Sequence, residues 1–144
     1  MDIQIMEGSQ DGLRVIIECK KVNDEVRKLE AHIHRFNAKL TARVEDKTVF
    51  VELNDVLYFE SVDNRTFLYT SQAVLEVKYK LYELESFLPS EDFFRISKAQ
   101  IVNINQIKAL APGFNRTLLA TMTNGEQVYI SRKYAMELRR VLSI

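Results

Sequence analysis

The chain has 144 residues, 47% of them hydrophobic and 28% charged, enough to bury one ordinary core. No apolar run approaches the roughly 18 residues of a membrane-spanning helix. The N-terminus carries an early acidic residue and no apolar h-region, so it does not resemble a signal peptide, and the lone Cys19 excludes an intramolecular disulfide. These features fit a cytoplasmic protein. The net charge is zero but unevenly spread. Residues 93–144 hold eight Lys and Arg against Glu126 and Glu137, a net of +6, while residues 41–92 have a net of −6 and residues 1–40 balance. A phosphate-binding surface needs local positive potential, not a global excess.

In chain order, residues 2–6 and 13–20 have the composition of two short strands around the turn cluster Gly8-Ser9-Gln10-Asp11-Gly12. Cys19 in the second is expected to be a small core residue. Asn23-Asp24 offers N-cap chemistry for a helix running to about Leu40. Its apolar positions Val22, Val26, Leu29, Ile33, Phe36 and Leu40 are spaced 4-3-4-3-4. Such a stripe packs on a sheet, or else pairs with a second copy or a partner. Beyond it come short strands at 41–44, 48–52, 56–61, 66–70 and 74–77. A helix over 80–88, with Leu81, Leu84, Phe87 and Leu88 on one face, is stopped by Pro89. Strands at 107–110, 117–123 and 127–130 follow, the last two joined by a hairpin at Asn124-Gly125, and a helix over 134–142 ends the chain.

Catalytic chemistry is not visible. His32 and His34 lie two apart on a helix and point to different faces, and Cys19 has no companion thiol. The four glycines are scattered turn residues rather than a phosphate loop. No catalytic residue, metal site or cofactor is expected.

The unusual stretch is Phe93-Phe94-Arg95-Ile96-Ser97-Lys98-Ala99-Gln100-Ile101-Val102-Asn103-Ile104, where apolar residues alternate with Arg95, Ser97, Lys98, Gln100 and Asn103. Packed apolar anchors there would hold polar side chains rigidly outward, as accurate bidentate contacts to base edges require.

These residues resemble the signature of the LytTR DNA-binding family, F-x-R-x-H-(R/K/N)-S followed by an aliphatic pair and an Asn. Val56-Leu57-Tyr58-Phe59-Glu60-Ser61 is similar to the family's I-x-Y-(F/I)-E-(S/A) strand, Leu81-Tyr82-Glu83-Leu84-Glu85 to its L-x-E-L-E helix, and Ile130-Ser131-Arg132-Lys133-Tyr134 to its (V/I)-S-R-x-Y close. The four blocks follow the family order over residues 41–144. The signature's His and Ser are replaced by Ser97, which has a shorter reach, and Ala99, which cannot donate.

The resemblance implies a mainly β domain with minor helices, a stack of small antiparallel sheets over 41–144. A strand–helix segment over 1–40 precedes it. It also implies a transcription regulator that reads successive major grooves through loops, at tandem repeats. The base contacts carried over are Arg132 first, then Lys98, then the loop Asn64-Arg65-Thr66. Ser97, Gln100, Ser131 and Lys133 are expected on phosphates, and Arg95 either on a phosphate or in a structural role. Asn103 is expected to tie down backbone at a turn. Forty N-terminal residues are too few for a phosphoacceptor receiver. Stand-alone members of the family often occur beside a membrane protein that restrains them. Self-association through Val22, Val26, Leu29, Ile33 and Phe36 is a further expectation. Two other functions stay open: a protein-interaction module using the 22–40 helix without DNA, and a small-molecule sensor with an apolar pocket among Phe59, Phe67, Tyr69 and Tyr79.

Overall fold

In a computed structural model that describes residues 1–9, 11–34, 36 and 38–144, the chain divides into two units, 1–36 and 37–144. Gln10 of the expected turn, and Arg35 and Asn37 of the expected helix, lie outside the described residues.

The first unit contains α1 (Asp24–His34). Asn23 caps it, its Oδ1 accepting the Val26 N–H at 3.0 Å. Asp24 and Glu25 in the first turn complement the helix dipole. The helix therefore ends well before Leu40. The expected strands at 2–6 and 13–20 form no ladder, and Cys19 is exposed rather than in a core. The reason is visible in the burial: Ile3, Ile5, Met6, Leu13, Val15 and Ile16 are all exposed, and no residue of α1 is buried. Two short β-rich segments without a third layer do not hold a sheet together. An apolar cleft of about 690 Å³ runs among these segments and Val26, Leu29 and Ile33.

The second unit is antiparallel β throughout, with two helices. Strands β1 (Lys39–Val44), β2 (Lys47–Glu52), β3 (Val56–Val62), β4 (Arg65–Thr70), β5 (Val74–Val77), β6 (Phe93–Ser97) and β7 (Gln100–Asn103) form one sheet in the order β2-β1-β5-β4-β3-β7-β6. Strands β8 (Ile107–Pro112), β9 (Leu118–Met122) and β10 (Gln127–Ile130) form a second. Helix α2 (Leu81–Phe87) follows β5, and α3 (Arg132–Leu142) follows β10. Leu40 lies in β1 and packs in the core.

The side-chain period of two gives the large sheet two apolar faces. On one, Phe59, Leu68, Phe93 and Ile101 pack with Leu81, Leu84 and Leu88 of the α2 region. On the other, Leu57, Tyr58, Ile96 and Val102 pack with Leu118, Ala120, Met122 and Ile130 of the small sheet and with Ala135 and Leu138 of α3. Two bulges break the alternation: one between Val56 and Tyr58, which leaves both Leu57 and Tyr58 in the second core, and one at Ile96. Phe87, expected on the packed face of α2, is instead half-exposed and meets Tyr79 edge-on at 5.0 Å. The Asn124-Gly125 hairpin forms, with positive φ at Gly125 and the Asn124 Oδ1 accepting the Glu126 N–H.

Asn103 ties backbone together at a turn. Its buried side chain donates to the carbonyl of Val56 at 2.9 Å and accepts the Asn105 N–H at 3.1 Å. The four residues of the alternative small-molecule pocket do not share a face. Phe59 and Leu68 are cross-strand partners on one face, which puts Phe67 and Tyr69 on the other; Tyr79 packs with the first core.

Candidate nucleic-acid interface

Two turns and the start of a helix meet at one end of the large sheet. The β3–β4 hairpin closes on Asp63 and Asn64, both in the left-handed region with φ of 50° and 62°, as a two-residue hairpin turn requires. The β6–β7 turn carries Lys98 and Ala99. The Ala99 carbonyl accepts the Ser61 N–H at 2.8 Å, so this turn lies against the end of β3 that leads into the first hairpin. The third element is the start of α3. Ile96, the extra residue of the β6 bulge, accepts the Ser131 N–H at 2.9 Å, and that bond fixes Arg132 and Lys133 beside the Lys98 turn. Segments far apart in sequence are thus joined through two backbone hydrogen bonds.

Within this cluster, Lys98, Arg132 and Lys133 are exposed, and none of them makes an ion pair among the described residues. Lys133 leans on the Tyr134 ring, its Nζ 5.3 Å from the centroid. Ser97 and Ser131 are half-buried; the Ser97 Oγ accepts the Ala99 N–H at 3.2 Å and so shapes the turn. Gln100 donates to Glu60 at 3.3 Å.

The hairpin of Asn64, Arg65 and Thr66 is divided. Asn64 is exposed, its carbonyl held by the Lys80 ammonium at 2.7 Å. Thr66 is 3% exposed and points into the sheet packing. Arg65 is held by Glu76 across β4 and β5, with Nε–Oε1 at 3.0 Å and a second bond at 2.6 Å. The Arg65 hydrogen bond holds the Glu76 carboxyl below its ordinary range, and the same bond raises Arg65.

Arg95 is a clamp. Its Nε donates to the Ser97 carbonyl at 2.7 Å, a second nitrogen donates to the Lys98 carbonyl, and the third meets Glu85 of α2. The guanidinium fork thereby fastens the Lys98 turn to a helix packed on the first core. Replacing Arg95 by Ala is expected to speed amide hydrogen exchange across residues 97–100, whereas Glu85→Gln keeps both carbonyl bonds and exchanges nearly as wild type. Unchanged exchange in Arg95→Ala would show that the clamp does not hold the turn.

Lys78 and Lys80, exposed at the end of β5 beside the first hairpin, belong to the same end of the sheet and were not picked out from sequence. They lie in the acidic segment, where summing charge along the chain hides them. Among the described residues no group of three His, Cys, Asp or Glu could hold a metal, and no helix is long and apolar enough to cross a membrane.

Residues 46–143 match the family model of the LytTr DNA-binding domain. The chain is 33% identical over 125 residues to the sensory transduction protein LytT of Bacillus subtilis (strain 168), covering 87% of this chain and 52% of that protein. It is 28% identical over 130 residues to an uncharacterized HTH-type transcriptional regulator of Staphylococcus aureus (strain NCTC 8325 / PS 47), covering 89% of this chain and 88% of the other. A solved LytTr DNA-binding domain from Bacillus cereus superposes with a TM-score of 0.70 at 35% identity, over 74% of this chain and 97% of that domain. The chain spans about half the length of the LytT protein of Bacillus subtilis.

Proposed function

Because the chain belongs to the LytTr DNA-binding domain family, we propose that it is a transcription regulator, not an enzyme, and that it reads specific duplex sequences through the turns gathered at one end of the large sheet. The observation that carries this reading is the convergence of Lys98, Arg132 and Lys133, three exposed cations without an ion-pair partner among the described residues, on one rigidly connected edge. A rigid scaffold with exposed loops is a common way to present contacts. Arg132 and Lys98 take guanine O6 and N7 in successive major grooves. Lys133 and the Ser97, Gln100 and Ser131 group take phosphates and set register. Arg95 acts through the Lys98 turn it clamps. Thr66 supports the hairpin from inside, and Asn64 and Arg65 are its outward members. The chain acts in the cytoplasm, at sites arranged as tandem repeats. Methylation interference tests the groove assignment: guanine N7 methylation should abolish binding at positions one helical turn apart, and interference confined to adenine N3 in the minor groove would refute it.

The Arg65–Glu76 pair restrains one of these contacts. Replacing Glu76 by Gln removes a negative charge and leaves at most one neutral acceptor for the guanidinium, so DNA affinity should rise several-fold in an anisotropy titration. Glu76 is held below its ordinary range in the folded protein, so the pair persists above the usual carboxylate range and is lost as pH falls through the lowered value. Glu76→Gln should therefore flatten the acid limb of wild-type binding. Equal affinity for the two proteins would mean that Arg65 stays off the DNA.

Two copies would meet through the first unit, at Val22, Val26, Leu29, Ile33 and Phe36. The exposed apolar segments and unfilled cleft around α1 support this, since contiguous exposed apolar surface marks an interaction site. Light scattering should give twice the chain mass for the wild type and the single mass for Leu29→Glu with Ile33→Glu; a wild-type monomer would end this part of the reading.

A further inference from the structure

The β8–β9 connection, Gly113-Phe114-Asn115-Arg116-Thr117, plays no part in the interface described above. Asn115 and Arg116 both occupy the left-handed region, with φ of 56° and 66°. Such conformations are uncommon for residues other than glycine, persist only where neighbours enforce them, and cluster at ligand-binding places. The enforcement is visible here. Thr117 Oγ1 donates to the Phe114 carbonyl at 2.6 Å, and the Gly113 N–H donates to the Thr117 carbonyl at 2.9 Å. A Cβ on Gly113 would collide with Thr117 Oγ1. The loop also packs against α3. This ordering goes into displaying Phe114, which is 89% exposed, the most exposed aromatic among the described residues. Beside it Arg116 is exposed and makes no ion pair among the described residues.

The register says where the loop points. Leu118, the first residue of β9, pairs with Ile130, the last of β10, and Ser131 and Arg132 follow at once. The loop before Leu118 therefore lies at the end of the small sheet from which α3 starts, the same end that the Ser131–Ile96 bond ties to the Lys98 turn. We propose that this loop is a fourth DNA-contacting element, in which Arg116 binds a backbone phosphate and Phe114 packs against a sugar or base face at the edge of the site. Both chemistries are used by proteins that bind duplexes: cations on phosphates, and apolar side chains against thymine methyls or between base steps. The proposal rests on the DNA-binding reading above.

The test uses the full chain and a duplex enriched by the wild type from a random-sequence pool. Arg116→Ala should weaken binding about five- to tenfold and reduce the slope of log K against log salt by about 1. Phe114→Ala should weaken it several-fold with the slope unchanged, because an apolar contact releases no counterion. Phe50→Ala, in β2 beside the β4–β5 turn at the opposite end of the sheet, should bind as wild type. All these side chains are exposed, so thermal unfolding serves as the control for folding. Wild-type affinity and slope in both loop variants would overturn the proposal and leave the DNA-binding reading intact. Enrichment of no duplex by the wild type would overturn both.

Discussion

Arg132→Ala should lose about 1–3 kcal/mol of binding to the enriched duplex while its weak binding to random DNA changes little, as expected for a side chain paired to one guanine. Lys133→Ala, one residue on, should weaken both duplexes by the same factor. The contrast follows from position. Arg132 opens α3 next to the backbone bond that joins Ser131 to Ile96, so its Cα is fixed relative to the Lys98 turn. Lys133 is tethered over its neighbouring ring and presents a point charge. Equal losses on specific and random DNA for Arg132→Ala would move it from base reading to the phosphate group.

Phe59→Ala should destabilise the second unit by about 3–5 kcal/mol, seen as a lower urea midpoint with little change in the denaturant slope. Phe59 is fully buried at the middle of β3, pairs with Leu68 on β4 and Ile101 on β7, and lies 5.9 Å from the Phe93 ring. Truncation leaves a cavity under α2, where neighbouring strands and helix cannot close in without breaking ladder bonds. A loss below about 1 kcal/mol would mean that this core collapses easily around the gap.

Strands β5 and β10 and the ends of α2 were legible in the sequence because period and breakers agree there: alternation in the strands, then Pro89 after a Leu81–Leu84–Leu88 face. The 93–104 stretch was recognised as rigid presentation, but its form, two strands with a bulge at Ile96, was not. A bulge puts two successive outward or inward residues where alternation expects one, and so defeats a period-of-two reading. The N-terminal strands at 2–6 and 13–20 failed for the opposite reason: β propensity reports fit to a half-buried surface, and this unit supplies none.

The site shows the same division. Lys98, Arg132 and Lys133 could be named because family blocks mark them, and the structure places them on one edge. Arg95 carries the same charge but is occupied by Ser97, Lys98 and Glu85, which nothing in the local sequence discloses, since Glu85 lies ten residues upstream on a helix. Arg65 likewise is paired across a ladder with Glu76. A cation's availability depends on cross-strand partners, and register is a tertiary property. The β8–β9 loop escaped notice because positive φ at Asn115 and Arg116 is accompanied by hydrogen bonds from Thr117 rather than marked by glycines at those positions.

The most direct measurement is an anisotropy titration of the full chain against the enriched duplex and a scrambled duplex of the same composition, repeated between roughly 50 and 200 mM salt. Specific recognition predicts that the enriched duplex binds on the order of a thousandfold tighter or more, with affinity for both falling steeply as salt rises. Equal affinity for the two duplexes, or no binding of either at the lowest salt, would contradict it.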